Sequence, residues 1–95
     1  MEPLVYIILI NYNGFKDTVE CIQSLKRISY TNYRILVVDN CSPKQPDKED
    51  IEYIKENSIW IDGKYNRGFS GGNNLGMKYA LEHGADYILL LNNDT

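Results

Sequence analysis

The sequence predicts an α/β fold in which helices cover both faces of a mostly parallel sheet, in three layers. Two observations lead to this prediction: continuous aliphatic runs recur along the chain, and amphipathic helical segments separate them in a βαβαβαβ order. Uninterrupted apolar strands are typical of parallel sheets covered on both faces, and the strands must then be joined by helical crossovers. With 95 residues, the chain has room for a single domain, residues 1–95.

The first half of the chain predicts two pairs of strand and helix. LVYIILI is a continuous apolar run and gives the first strand, and FKDTVECIQSLK carries apolar residues at helical spacing. YRILVVDN repeats the buried strand pattern. PDKEDIEYIKEN follows it as a second helix, with acidic residues at its start, where they favour the helix dipole.

The second half predicts two further strands around a third helix. SIWID is a short third strand, and the third helix is expected from Gly72 to His83. Leu81 belongs to the broad apolar face of that helix, and Gly84 supplies the left-handed residue that ends it. ADYILLL is then predicted to be a fourth buried strand.

Composition excludes several classes of function. The net charge is -3 and no basic run is present, so we expect no nucleic-acid partner. The first apolar run is too short to span a bilayer, and Glu2 precedes it where a signal peptide would be positive, which predicts a cytoplasmic chain. Cys21 and Cys41 lack the spacing and companion histidines of a zinc or redox site, so we expect two unpaired thiols.

Every predicted strand ends in a cluster of Asn, Asp and Gly. The four clusters read NYNG, DNCS, DGKYNRG and NNDT. These residue types also form ordinary turns, which is the simpler explanation for any one loop. In parallel α/β sheets, however, the carboxyl ends of the strands share one rim where ligands bind. Four such clusters together therefore favour a ligand site at this rim.

The segment YNRGFSGGNNLG contains the pattern of a hydrolase nucleophile turn. Residues 68–72 match G-x-S-x-G around Ser70, a pattern that needs a strand directly before it and a histidine partner. Five residues separate it from the preceding strand. The single histidine, His83, lies on the order of 18 Å away along the helix that this segment opens. The hydrolase interpretation therefore fails.

The same segment fits an anion site better. Gly71 and Gly76 have the spacing of a phosphate loop, but Met77 stands where the lysine must be. What remains is a glycine-rich loop running into a helix amino end, with Arg67 beside it, which suits a phosphate. A plain helix with a flexible entry explains this loop equally well.

Two aspartates complete the predicted rim. Asp94 follows the fourth strand and is a candidate ligand for magnesium, which commonly takes one or two carboxylates. Asp39 ends the second strand and could accept hydrogen bonds from a base or ribose. An ordinary solvated strand-end aspartate is the alternative for Asp94.

Taken together, ILINYNG, ILVVDNCS, NRGFSGGNNLGMKYAL and YILLLNNDT resemble family 2 glycosyltransferases of the GT-A fold, particularly the rhamnosyltransferase-like branch. The resemblance covers essentially the whole chain and implies the Rossmann-like, amino-terminal nucleotide-binding half of that fold. It implies a nucleoside-diphosphate sugar donor, linked to UDP or dTDP, and a divalent metal, Mg or Mn. The residues that the resemblance implies for donor binding are Asn11, Tyr12, Asn13, Asp39, Asn66, Gly68, Asn73, Asn92 and Asn93, with Asp94 as the metal ligand. Arg67, beside the glycine-rich loop, is added to the donor-binding set.

The chain also departs from the family pattern. Asn92 replaces the first aspartate of the Asp-any-Asp motif, which leaves Asp94 as the main charge on a metal. The acceptor half and its catalytic base are absent after Thr95, so the catalytic residue is unknown and the chain alone is expected to be inactive. The full enzyme would act on a saccharide or lipid-linked acceptor, at the inner face of the membrane. The alternative function is a non-catalytic oligomerising or interaction module, expected as a homodimer.

Overall fold

The computed structural model describes residues 2–11, 14–39, 46–62 and 68–91. Its elements follow the predicted order, and every pair of adjacent strands is parallel, which confirms the predicted fold class. Within those ranges, no helix is long and apolar enough to cross a bilayer. The elements are β1 (Val5–Asn11), α1 (Phe15–Leu25), β2 (Tyr33–Asp39), α2 (Lys48–Asn57), β3 (Ile59–Asp62), α3 (Gly68–Glu82) and β4 (Tyr87–Leu91).

The strand order, β3-β2-β1-β4, determines where a ligand can bind. The chain first steps outward from β1 through β2 to β3, and then returns through α3 to place β4 on the other side of β1. The direction of winding therefore reverses between β1 and β4. In open α/β sheets, the crevice outside the strand carboxyl ends at such a reversal is the usual ligand site.

Two apolar clusters hold the three layers together, one on each face of the sheet. Along β1 and β2 successive side chains alternate between the clusters, so that Leu9 and Val37 point to one face and Ile8 and Leu36 to the other. The first cluster packs against α1 and α2, and the second against α3. Their buried members are Leu9, Phe15, Ile22, Ile35, Val37 and Ile54 in the first cluster, and Tyr6, Ile8, Leu36, Val38 and Ala80 in the second.

Gly76 lets α3 lie close to the sheet. A Cβ atom at this position would come within 2.8 Å of Ile8 Cγ2, closer than side-chain carbons pack. The glycine that fits a phosphate-loop spacing in the sequence is thus a packing residue in the structure. At the other end of α3, Gly84 has φ 83°, which confirms the predicted left-handed stop.

Three details of the second half differ from the sequence prediction. First, α3 begins at Gly68, not Gly72, so the residues expected to form a loop before the helix make its first turn. Second, Leu81 is 67% exposed, because it lies on the solvent side of α3. Third, β4 is not a buried strand: Leu89 and Leu90 are exposed, since β4 pairs only with β1 and has no strand on its other edge among the described residues.

Candidate functional site

The carboxyl ends of β1, β2 and β3 place three polar side chains in one row. Asn11 pairs in register with Asp39, and Asp39 with Asp62. Neighbouring strands lie about 4.8 Å apart, so these residues are adjacent across the sheet. By the alternation of side chains, all three are on the face that carries α1 and α2, the face to which Trp60 also points. Two of the predicted site residues, Asn11 and Asp39, are thus brought together.

A buried hydrogen-bond network connects this row to α1. Asn11 Nδ2 donates to Asp39 Oδ1 at 3.0 Å, and the Thr18 hydroxyl donates to Asn11 Oδ1 at 2.7 Å. Asn11 and Thr18 are fully buried, whereas Asp39 retains 8% exposure. Asp39 is therefore the member of the network that meets the surface at the rim, and Asn11 lies behind it.

Sequence reasoning did not identify Thr18. It lies in α1 three residues after Phe15 and four before Ile22, within the stripe that packs against the sheet. A buried hydroxyl is costly unless it is hydrogen-bonded, so a threonine in an otherwise apolar stripe indicates a polar partner across the interface. The sequence carries that signal, but the identity of the partner depends on how α1 packs against β1.

An ion pair ties the amino ends of α1 and α2 together near the same rim. Lys16 Nζ lies 2.9 Å from Asp47 Oδ2 and 3.1 Å from Asp50 Oδ2. The hydrogen bond to Asp47, followed by the one to Asp50, raises the pKa of Lys16. Because Lys16 and Asp47 are largely exposed, this pair adds orientation at the rim more than stability.

On the opposite face of the sheet, α3 begins at the rim where β1 and β2 end. In a parallel crossover, the helix starts where the preceding strand finishes, so the first turn of α3 at Gly68 presents its backbone N–H groups to the crevice. A helix amino end attracts anions through these groups and the helix dipole. The amino end of α3, predicted to bind an anion, and the Asp39 carboxylate therefore lie at the same rim of the sheet.

The remaining predicted residues border the described elements. For Gly68 and Asn73, the structure describes a helical backbone in α3. The others lie outside the described residues, and their assignments stay predictions: Tyr12, Asn13, Asn66, Arg67, Asn92, Asn93 and Asp94. Each is at most three residues from the rim end of a described strand or helix.

The predicted metal ligand, Asp94, follows β4 and lies outside the described residues. Among the described residues, no group of three or more His, Cys, Asp or Glu side chains is arranged to hold a metal. Asn92, Asn93 and Asp94, which follow Leu91 in the sequence, offer amide and carboxylate oxygens. Such oxygen donors suit Mg²⁺ or Mn²⁺.

The structure argues independently against a serine hydrolase. Ser70 belongs to the first turn of α3, and His83 follows the last, so the length of the helix separates them. The His83 ring stacks on Tyr79 at 3.9 Å, and its Nδ1 lies 2.7 Å from the Tyr79 carbonyl oxygen. That ring is engaged at the far end of the helix and cannot act as a base for Ser70.

Comparison with known proteins places this architecture in a family. The model of Glycosyl transferase family 2 matches residues 6–95. The low-salt glycan biosynthesis hexosyltransferase Agl10 of Haloferax volcanii is 31% identical over 93 residues, in a match that covers 93% of this chain and 27% of Agl10. The chain thus spans about a quarter of that relative's length.

A solved structure shows the same fold. The mannosyltransferase PcManGT from Pyrobaculum calidifontis, in complex with GDP-Man and Mn²⁺, superposes with a TM-score of 0.78 at 17% identity. The superposition covers 99% of this chain and 28% of PcManGT. The parallel sheet, the polar rim and the match over residues 6–95 lead to one conclusion: this chain belongs to glycosyl transferase family 2.

Proposed function

We propose that this chain binds the nucleoside-diphosphate part of a sugar donor at the carboxyl rim of the sheet. It would serve as the donor half of a glycosyltransferase that transfers a sugar to an acceptor hydroxyl. The observation that carries the proposal is the Asn11–Asp39 pair, in which a buried amide holds a carboxylate at the rim. Family membership supports the reaction class.

In this proposal, Asp39 recognises the nucleoside. A carboxylate accepts hydrogen bonds and cannot donate them when ionised, so it selects a donor on the ligand. The ring N–H of uracil or thymine, the N–H groups of guanine and the ribose hydroxyls are all suitable donors. We propose UDP or dTDP as the carrier, in line with the resemblance to the rhamnosyltransferase-like branch, and GDP is the comparison because PcManGT was solved with GDP-Man.

The diphosphate is assigned to the opposite face of the crevice. The amino end of α3 at Gly68 would bind phosphate oxygens through backbone N–H groups, with Asn66, Arg67 and Asn73 close in sequence. Asp94, with Asn92 and Asn93, would hold Mg²⁺ or Mn²⁺. A bound metal stabilises the negative charge of a leaving diphosphate. The acceptor site and the base that deprotonates the acceptor hydroxyl are assigned to polypeptide other than residues 1–95. We propose the cytoplasm as the compartment of the reaction.

The test is titration calorimetry of the chain with UDP, dTDP and GDP, with and without Mn²⁺. We expect metal-dependent binding of one of them. Replacing Asp39 with Asn keeps the shape but exchanges an ionised acceptor for an amide, and a charged hydrogen bond contributes about 1.5–3 kcal/mol, so we expect binding to weaken roughly 10- to 150-fold. Asp94→Ala should remove the metal dependence.

The control is Asp86→Asn, at the opposite end of the sheet, where the carboxylate accepts from the Leu4 backbone N–H. This variant should bind like the unmodified chain. If none of the nucleotides binds, with or without Mn²⁺, the donor-site proposal is wrong. If Asp39→Asn binds as tightly as the unmodified chain, the nucleoside is recognised elsewhere.

The alternative, a non-catalytic oligomerising module, rests on the exposed edge of β4. Tyr87, Leu89 and Leu90 are 63%, 46% and 43% exposed there, and an open apolar strand edge recruits other chains. Such an edge is equally expected where a longer relative continues its sheet. Family membership therefore favours the donor-site proposal.

A further inference from the structure

We propose that Thr18 is a positioning residue for nucleoside recognition, acting on Asp39 through Asn11. Thr18 is fully buried in the first turn of α1, and its hydroxyl reaches Asn11 Oδ1 at 2.7 Å. This inference rests on the proposed function, in which Asp39 accepts a hydrogen bond from the nucleoside. It adds that α1 determines the direction in which that carboxylate points.

The direction of the network follows from the chemistry of its last member. An ionised carboxylate only accepts hydrogen bonds, so the Asn11 atom that faces Asp39 Oδ1 must be the amide nitrogen. The amide oxygen then faces Thr18, and the Thr18 hydroxyl must donate to it. The reverse orientation of the amide would put its oxygen against the carboxylate. The Asp39 carboxylate therefore sets which way round the Asn11 amide sits, and the Thr18 hydroxyl stabilises that orientation by donating to the amide oxygen.

Helix formation does not require this hydroxyl. The Thr18 backbone N–H already donates to the Gly14 carbonyl oxygen at 2.9 Å, as in any first helical turn. Threonine hydroxyls in helices often bond back to a carbonyl in the preceding turn, whereas here the hydroxyl crosses to another element. A valine would fill a similar volume in the apolar stripe. The hydroxyl adds a side-chain link from α1 to β1.

The consequence is a carboxylate held in place before the ligand arrives. Three side chains from α1, β1 and β2 are connected by two short, buried hydrogen bonds, and hydrogen bonds in a low-dielectric interior reinforce one another. A recognition group whose orientation is already restrained loses less entropy on binding. Without the Thr18 hydroxyl, Asn11 loses a buried hydrogen bond to its amide oxygen, and the restraint that Asn11 passes to Asp39 is weaker.

The test compares Thr18→Val, which removes the hydroxyl, with Thr18→Ser, which keeps it. Binding of the nucleotide identified by calorimetry and of inorganic pyrophosphate is measured for each variant in Mn²⁺. We expect Thr18→Val to bind the nucleotide about five- to tenfold more weakly, as loss of about 1 kcal/mol implies, and Thr18→Ser to restore the affinity. Pyrophosphate has no nucleoside, so its affinity should be the same in all three proteins.

Thr31→Val is the matched control, because the Thr31 hydroxyl lies at the other end of the sheet and donates to the exposed Glu2 carboxylate. It should bind like the unmodified chain. If Thr18→Val binds the nucleotide normally while Asp39→Asn does not, the positioning role is wrong and the donor site stands. If the unmodified chain binds no nucleotide, both proposals fall. Equal loss of nucleotide and pyrophosphate binding would indicate general damage and would also overturn the positioning role.

A measurement on the unmodified chain covers the case in which Thr18→Val does not fold. The side-chain amide signals of Asn11, assigned with Asn11→Asp, are followed by nitrogen-proton NMR during nucleotide titration. We expect these signals to shift when the nucleotide engages Asp39, since Asn11 Nδ2 donates to that carboxylate. Asn11 signals that stay unchanged at saturation would overturn the inference.

Discussion

Replacing Gly76 with Ala tests how closely α3 must approach the sheet. The added Cβ would lie 2.8 Å from Ile8 Cγ2 and 3.3 Å from Ile8 Cδ1, where ordinary contacts begin at 3.4 Å. Ile8 is fully buried and branched at Cβ, so it cannot swing away. Overpacking of this kind costs about 1–3 kcal/mol, while exchanging Gly for Ala within a helix returns about 1 kcal/mol. We expect a net loss of roughly 1 kcal/mol in the free energy of unfolding.

The cause can be isolated with two changes at Ile8. Ile8→Ala removes Cγ2 and Cδ1, so in that background Gly76→Ala should become stabilising by about 1 kcal/mol, the helix-propensity gain alone. Ile8→Val shortens the side chain but keeps both branches at Cβ, and the penalty should persist. Comparing the effect of Gly76→Ala in the Ile8→Ala and Ile8→Val backgrounds separates the contact with Ile8 Cγ2 from a general loosening of the core.

The assay is urea unfolding followed by the fluorescence of Trp60, the single tryptophan of the chain. Because Ile8→Ala itself costs about 2–5 kcal/mol, all variants are measured in the same stabilising concentration of sucrose. If Gly76→Ala lowers the unfolding free energy equally in the unmodified chain, in Ile8→Val and in Ile8→Ala, the close contact does not explain the glycine. A penalty that disappears only in the Ile8→Ala background would support it.

Two further predictions concern Cys21 and Lys16, two residues of α1 whose pKa values are raised. Burial raises the pKa of Cys21, so in a Cys41→Ser variant the native thiol should react with iodoacetamide at a higher pH than the thiol of the unfolded chain. For the same reason, the free energy of unfolding should fall as the pH rises above the ordinary thiol pKa. Equal labelling profiles with and without urea would contradict this prediction. Lys16→Met should slightly lower the urea midpoint in low salt but not in about 1 M NaCl, because salt screens its ion pair. The control is Lys48→Met: Lys48 lies 4.0 Å from Glu52, so its loss should have less effect at either ionic strength. Since the pKa of Lys16 is raised, its contribution is present below the ordinary lysine pKa and disappears as the pH rises through the shifted value; a loss that is unchanged by salt would contradict an electrostatic role.

Particular elements show where sequence reasoning reached its limit. The sequence pattern places the start of α3 four residues late, because glycines have the lowest helix propensity after proline and indicate a loop. The apolar pattern also predicts burial for Leu81 and β4, which the structure exposes. Apolar residues alone do not reveal which side of a helix faces solvent or which strand lies at an edge. The sequence predicts Asn11 and Asp39 as site residues, but their hydrogen bond depends on a strand register that no local pattern encodes.

Local periodicity and spacing are enough to predict the order and type of the elements and the polar ends of the strands, and the position of His83 is enough to exclude a serine hydrolase. The strand order, the packing role of Gly76 and the link from Thr18 through Asn11 to Asp39 become visible in the folded chain alone. The physical reason is that each of these depends on contacts between residues far apart in the chain. Asn11 and Asp39 are 28 residues apart in sequence and 3.0 Å apart in the fold.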